Sequence, residues 1–214
     1  MKLGEIKLET LYLCFATPEL SIDTEDATVF SDTLNALKSD SNYSDYLNAS
    51  VGAINRALSY FELKGLVPKK RVEVPFNGSE VVNGCFTMEL SHIIPDFCYL
   101  VSVSEGDSDI VSYVEYAQDG ALIKVFPPTV GNGYTIQYIP TLERITHTTS
   151  EEYDIPLPRY LCEAIPYFVK SDIMRVDNPE EAERAREEFY SLCREMPING
   201  EDKIFQVRTL YGMV

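Results

Sequence analysis

A chain of 214 residues carries 34 acidic against 18 basic side chains, a formal charge of -16 with neutral histidines. Charge of that sign repels a nucleic acid and excludes a general basic surface for DNA recognition. The length suits one core of ordinary size or, as we expect here, a small helical core plus a separate strand-built lobe.

The opening Met1-Lys2-Leu3-Gly4-Glu5-Ile6 lacks the basic-then-apolar layout of a signal peptide, and no apolar run approaches a membrane span. A soluble, non-secreted protein is the expectation. Leu3, Ile6, Leu8, Leu11, Leu13 and Phe15 lie among good helix formers, so the first fifteen residues are expected to form a short helix. From Thr17 to Asp40 the composition turns acidic and hydroxylated, and Pro18, Asp23, Glu25 and Asp26 argue for a loop with one helical turn around Phe30 to Leu37. That loop is a candidate contact surface.

The clearest pattern runs from Tyr43 to Gly65. Tyr43, Leu47, Val51, Ile54, Leu58 and Phe61 recur at spacings of three and four, which places them on one stripe of a helix. Ser41 and Ser44 are candidate caps at its start, Gly65 offers the left-handed turn that ends it, and Pro68 blocks resumption. The period then changes to alternation, punctuated by Asn77-Gly78, Asn83-Gly84, Asp119-Gly120 and Gly131-Asn132-Gly133. Strands are expected near Arg71 to Phe76, Cys85 to Leu90, Phe97 to Ser104, Ile110 to Tyr116, Ala121 to Phe126 and Tyr134 to Ile139. Asp119-Gly120 is the strongest hairpin signal, with positive φ expected at both positions. Together these make a small antiparallel sandwich or barrel.

Helical spacing returns from Leu157 through Leu161, Ile165, Phe168 and Val169 to Ile173, with Pro166 either kinking the helix or marking a second start. Asn178-Pro179-Glu180-Glu181 then supplies a cap, a first-turn proline and an acidic first turn. Ala182, Ala185, Phe189, Leu192 and Met196 form the stripe of this last helix, and Glu180 to Arg184 spans a favourable four-residue separation. No such helix buries its stripe alone, so the central helix and this hairpin are expected to share one core. The fold class is thus α+β: an antiparallel helical bundle with an inserted small antiparallel β-sandwich or barrel and an extended C-terminal arm. The expected divisions are 1–70 for the first part of the bundle, 71–140 for the inserted domain, 141–196 for the closing helical hairpin and 197–214 for the arm. The arm is mostly apolar or aromatic at Ile204, Phe205, Val207, Leu210 and Tyr211, which suits a surface of its own subunit or of a neighbour.

Residues with chemistry are sparse. Five cysteines, Cys14, Cys85, Cys98, Cys162 and Cys193, are scattered, odd in number and never spaced as Cys-x-x-Cys, so neither a disulfide framework nor a zinc site is suggested. His92 and His147 are the only histidines and have no ligand companions at metal-binding spacing. Ser91, His92 and Asp96 contain the residue types of a nucleophile triad but lie close in sequence and lack a Gly-x-Ser-x-Gly elbow. Glu105-Gly106-Asp107-Ser108-Asp109 has the carboxylates of a Ca²⁺ loop with its glycine misplaced, and reads as a solvated turn. No phosphate-binding glycine loop is present, and no cofactor, metal or enzymatic activity is expected.

The one basic cluster, Lys69-Lys70-Arg71, follows the central helix. It either complements the helix dipole or forms a patch for an acidic neighbour or a phosphate backbone. From Arg71 to Pro140 nine acids (Glu73, Glu80, Glu89, Asp96, Glu105, Asp107, Asp109, Glu115, Asp119) face two bases, Arg71 and Lys124, so this lobe suits DNA only as a non-adhesive wall.

The order of parts carries a resemblance. An amphipathic helix is followed by a strand-rich insertion containing Ile94-Pro95-Asp96-Phe97. After it come Tyr138-Ile139-Pro140, Tyr153-Asp154-Ile155-Pro156-Leu157-Pro158 and Asn178-Pro179-Glu180-Glu181-Ala182. This layout, over roughly residues 43 to 196, resembles the head-to-tail adaptor proteins of tailed bacteriophages, the tail-tubular or gatekeeper connectors of podovirus type. The resemblance implies a virion protein of the neck, made in the host cytoplasm and assembled as a twelve-subunit ring. Such a ring sits between the portal protein and the distal tail or nozzle protein, with DNA only as passing cargo in the lumen. The resemblance also implies a C-terminal arm that reaches the portal; Ile204, Phe205, Val207, Leu210 and Tyr211 are the residues here that suit it. Lys69, Lys70 and Arg71 are the candidate basic side of a subunit contact. The acidic loop from Thr17 to Asp40 departs from shorter adaptors. The alternatives are a soluble monomeric binding module with an acidic β lobe, or a hydrolase using Ser91, His92 and Asp96.

Overall fold

The coordinates, a computed structural model, describe residues 1–15, 27–76, 81–105, 112–114, 116–128 and 133–195. The elements run α1 (Leu3–Phe15), α2 (Ala27–Ser39), α3 (Ser41–Leu63), β1 (Lys70–Pro75), β2 (Val81–Val82), β3 (Cys85–Glu89), α4 (Leu90–Ile93), β4 (Phe97–Glu105), β5 (Ser112–Tyr113), β6 (Tyr116–Asp119), β7 (Leu122–Val125), β8 (Gly133–Pro140), α5 (Arg159–Ile173) and α6 (Pro179–Glu195). The class is α+β, with small antiparallel sheets. The arm residues Ile204, Phe205, Val207, Leu210 and Tyr211, the Asn77-Gly78 turn, most of the 105–109 turn and residues 16–26 lie outside the described residues.

Helix α3 follows its stripe. Leu47, Val51, Ile54, Leu58 and Phe61 are buried and Tyr43 is half-buried. Its cap is Asp40, not Ser41 or Ser44: the Asp40 carboxylate accepts from the Asn42 amide at 2.8 Å. Aspartate in extended backbone does this better than a serine already inside the first turn. At the other end Gly65 takes φ +67°, Leu66 N–H donates to the Phe61 carbonyl and Gly65 N–H to the Glu62 carbonyl. That pair of bonds is the Schellman closure that a left-handed glycine permits.

Two expectations for the first forty residues part company. The expected first helix is present, from Leu3 to Phe15. The next stretch, read as a loop with one helical turn, instead holds α2, thirteen residues long. Its Leu34 and Leu37 are buried against Leu8, Leu11 and Leu47, and this apolar contact outweighs a local composition that favours turns.

The strands form two four-stranded antiparallel sheets, ordered β1-β8-β4-β5 and β2-β3-β7-β6. Val74, Leu100, Val103, Ile136 and Tyr138 of the first sheet and Phe86, Met88, Ile123 and Val125 of the second share one apolar cluster. Asn83-Gly84 supplies the tight hairpin with positive φ at both central residues, +53° and +79°, between Val82 and Cys85. At the second hairpin Asp119 pairs with Leu122, so Asp119 is still in the strand and only Gly120 takes positive φ, +59°. The turn is therefore shifted one residue, with glycine at its first central position.

The first sheet serves two cores. Its β4 register slips between Phe97 and Tyr99 and again between Leu100 and Ser102, skipping Cys98 and Val101. Both side chains, with Tyr99, pack against the helical core, and Ile139 of β8 is wholly buried there. Bulges re-aim side chains in this way. The strand region thus has an apolar cluster of its own and also leans on the helices through one sheet.

The helical core joins Leu3 and Ile6 of α1 to Val51 through Phe61 of α3, Leu161 through Val169 of α5 and Phe189 of α6. Helix α5 runs through Pro166 as one element. Asn178 caps α6 through its side chain to Glu181 N–H at 3.3 Å, and Ala182, Ala185 and Phe189 are buried as the stripe requires. Glu181, rather than Glu180, pairs with Arg184 at 2.8 Å and also reaches Lys170 of α5 at 3.1 Å.

Candidate functional site

The basic cluster begins β1 rather than ending α3. The helix stops at Leu63, has no basic residue in its last turn and leaves Lys69, Lys70 and Arg71 beyond the reach of its terminal dipole. All three are exposed. The Lys70 ammonium lies 2.6 Å from Asp96 Oδ2, and Tyr138 Oη donates to Asp96 Oδ1 at 2.9 Å. The Lys70 hydrogen bond draws the Asp96 carboxyl below its usual range, against the opposing effect of its partial burial. Burial first, and the Asp96 contact second, push the Tyr138 phenol up to about 12. Arg71 meets the Gln137 amide oxygen with Nε at 2.9 Å and Nη2 at 3.0 Å, the orientation in which the amide nitrogen faces Ser102 Oγ at 3.1 Å. Lys70 thus ties β1 to the turn that precedes β4 and Arg71 ties it to β8, while both keep an exposed side.

The triad types are not brought together. Ser91 Oγ donates to Glu89 Oε1 at 2.7 Å, while the two oxygens of Asp96 receive Lys70 and Tyr138. Ser91 and His92 sit exposed on the four-residue α4. His147 is exposed in the segment after β8. Among the described residues no group of three or more His, Cys, Asp or Glu is placed to hold a metal ion. The five cysteines are free, and burial pushes the thiols of Cys14, Cys162 and Cys193 up to about 11, away from the reactive thiolate.

Polar groups that the sequence did not single out hold the returning segment 141–158 on the helices. Glu62, 4 % exposed, accepts from Leu142 N–H at 2.6 Å and from Arg144 Nη2 at 2.5 Å. Asn55, on the same face two helical turns earlier, accepts from Ile145 N–H and donates to the Ile145 carbonyl, both at 2.8 Å. Further along, Glu151 Oε1 receives Lys7 of α1 and Lys38 of α2, each at 2.9 Å. The legible signal was an asparagine and a glutamate seven residues apart beside an apolar stripe; their partners, 80 to 90 residues away, were not legible.

Large apolar side chains at the surface are dispersed: Leu63 at the end of α3, Phe126 after β7 and Val176 between α5 and α6. No helix among the described residues is long and apolar enough to cross a membrane. The chain matches no model of a known protein family and none of the curated proteins with which it was compared.

Proposed function

We propose that the chain is a structural connector of the head-to-tail adaptor kind, a virion neck protein that joins a portal to the distal tail as a ring of copies. In this reading the helices form an antiparallel bundle (1–70 and 141–196), the strands of 71–140 an inserted sandwich, and 197–214 an arm. The single observation that carries it is the common core of α1, α3, α5 and α6, closed across an acidic strand region that lies between them in sequence. A helical core interrupted in sequence by strands supports the layout that the resemblance implies. A chain charged at -16 is suited to border a polyanion without holding it. The exposed sides of Lys69, Lys70 and Arg71 supply the basic half of a copy-to-copy contact, and Ile204, Phe205, Val207, Leu210 and Tyr211 the apolar anchor on the portal.

Electron microscopy of the full chain mixed with the phage portal tests the reading. Rings seated on the portal are expected, with truncation of Asp202 to Val214 leaving a folded subunit that attaches more weakly. A chain that stays monomeric and unbound beside the portal overturns it.

A further inference from the structure

We propose that α2 is a flap, held shut by one carboxylate oxygen of Glu151, that opens about Asp40 and uncovers an apolar strip on α1 and α3 while the main helical core stays folded. The inference does not rest on the adaptor reading. Three features of the described residues carry it.

First, the described side chains of α2 belong to a satellite cluster. Leu34 and Leu37 meet Leu8, Leu11 and Leu47, with Phe15, Tyr43 and Tyr46 at the margin, and among the described side chains of α2 none belongs to the main core. Elements with few apolar contacts of their own open at lower cost than the whole fold. Second, the hinge is already built. Asp40 separates α2 from α3 in extended backbone, φ -87° and ψ 121°, and caps α3 through Asn42 N–H. Turning α2 away leaves that cap and the α3 hydrogen bonds in place. Third, the closure is asymmetric. Lys7, nearly buried, and Lys38, 44 % exposed at its side chain, share Glu151 Oε1 at 2.9 Å, and the buried Oε2 has no partner. Losing Lys38 leaves Glu151 paired to Lys7, so α2 can leave without stranding a buried charge.

Opening exposes Leu8, Leu11 and Leu47 beside the rings of Phe15, Tyr43 and Tyr46, whose edge-on contacts are 5.3 Å and 4.9 Å between centroids. The flap is therefore a cover that keeps this strip from water in the lone chain.

Hydrogen exchange followed by mass spectrometry on the full chain decides the matter. Lys38→Met is expected to speed exchange in α2 by about 3- to 10-fold, with α3 from Val51 onward and α5 unchanged within about 2-fold, and Lys38→Arg to keep α2 slow. If Lys38→Met folds poorly, raising salt on the unaltered chain gives the same selective loss of protection, because Lys38 is open to screening. Acceleration of all helices together, or no change in α2 under either treatment, overturns the proposal. Because this reads a lone subunit, its failure leaves the portal experiment untouched, and the reverse holds too.

Discussion

The helical core and the strand core are closed by different means. Around the helices, segment 141–158 meets the backbone of the helical part only near its later half, where Glu151, Tyr153 and Ile155 bond to Gly4, Leu3 and Met1, so Leu142 N–H and Ile145 N–H are met by the side chains of Glu62 and Asn55. In the sheets the ladder satisfies the backbone, and the shared cluster is built of apolar and aromatic groups, with Ser104 and Glu105 buried at the end of β4. There Phe86 stacks on Tyr134 at 5.8 Å with Phe76 edge-on at 5.4 Å, and Tyr134 Oη finds the Phe126 carbonyl at 2.5 Å. Buried backbone polar groups need partners wherever they lie. What the difference teaches is that an irregular return path calls on a side-chain carboxylate and an amide to satisfy buried backbone N–H groups, which a regular ladder satisfies by itself.

The sharpest way to test this contrast is to remove the ring at the centre of the helices. Phe189 is fully buried, with centroids of Phe168 at 5.0 Å, Tyr60 at 5.2 Å and Phe61 at 5.8 Å. Phe189→Ala should cost about 3–5 kcal/mol by chemical denaturation. A loss below about 1 kcal/mol would mean that α6 is a passenger on the core and not a wall of it.

Next comes the clasp. Glu62→Ala leaves the buried Leu142 amide and Arg144 without their acceptor and should cost about 2–4 kcal/mol, while Glu62→Gln, which can still accept from Leu142, should cost roughly half as much. Equal, small effects of both substitutions on the denaturation midpoint would erase the distinction between the two cores.

The smallest effect is expected at the rim of the sheets. Asp96 and Lys70 are both substantially exposed, so Asp96→Asn should cost under about 1 kcal/mol at neutral pH. Its sign with pH is fixed by the lowered folded value, drawn down chiefly by Lys70. The contribution is complete above the ordinary carboxylate value and is lost as pH falls through the lowered one. Asp96→Asn should remove that share of the acid slope of stability. An acid slope identical in the two chains would show that the pair contributes nothing.

The legible and illegible parts of the molecule divide along the same line. The stripe from Leu47 to Phe61, the Asn178 cap and the Asn83-Gly84 turn were plain because each depends on neighbours a few residues away. Helix α2 was misread because Asp32, Thr33 and Asn35 favour turns locally, and only the contact of Leu34 and Leu37 with α1 and α3 decides for helix. The stretch read as one strand from Ile110 to Tyr116 is two pieces, β5 and β6, in different sheets. The basic run from Lys69 to Arg71 reads in the sequence as a complement to the helix dipole or a patch for a partner, and only folding sets Asp96, 26 residues beyond Lys70, against it.

By itself, then, the chain determined its class, the spacing of its main helices, its strongly negative charge and the turns where glycine and asparagine take positive φ. Those follow from short-range sterics and periodicity. Tertiary structure alone decided that α2 is a helix, that Glu62 and Glu151 are structural carboxylates, and that the first sheet faces two cores. Each of these depends on which distant groups meet in low dielectric, and the linear order of residues does not carry that information.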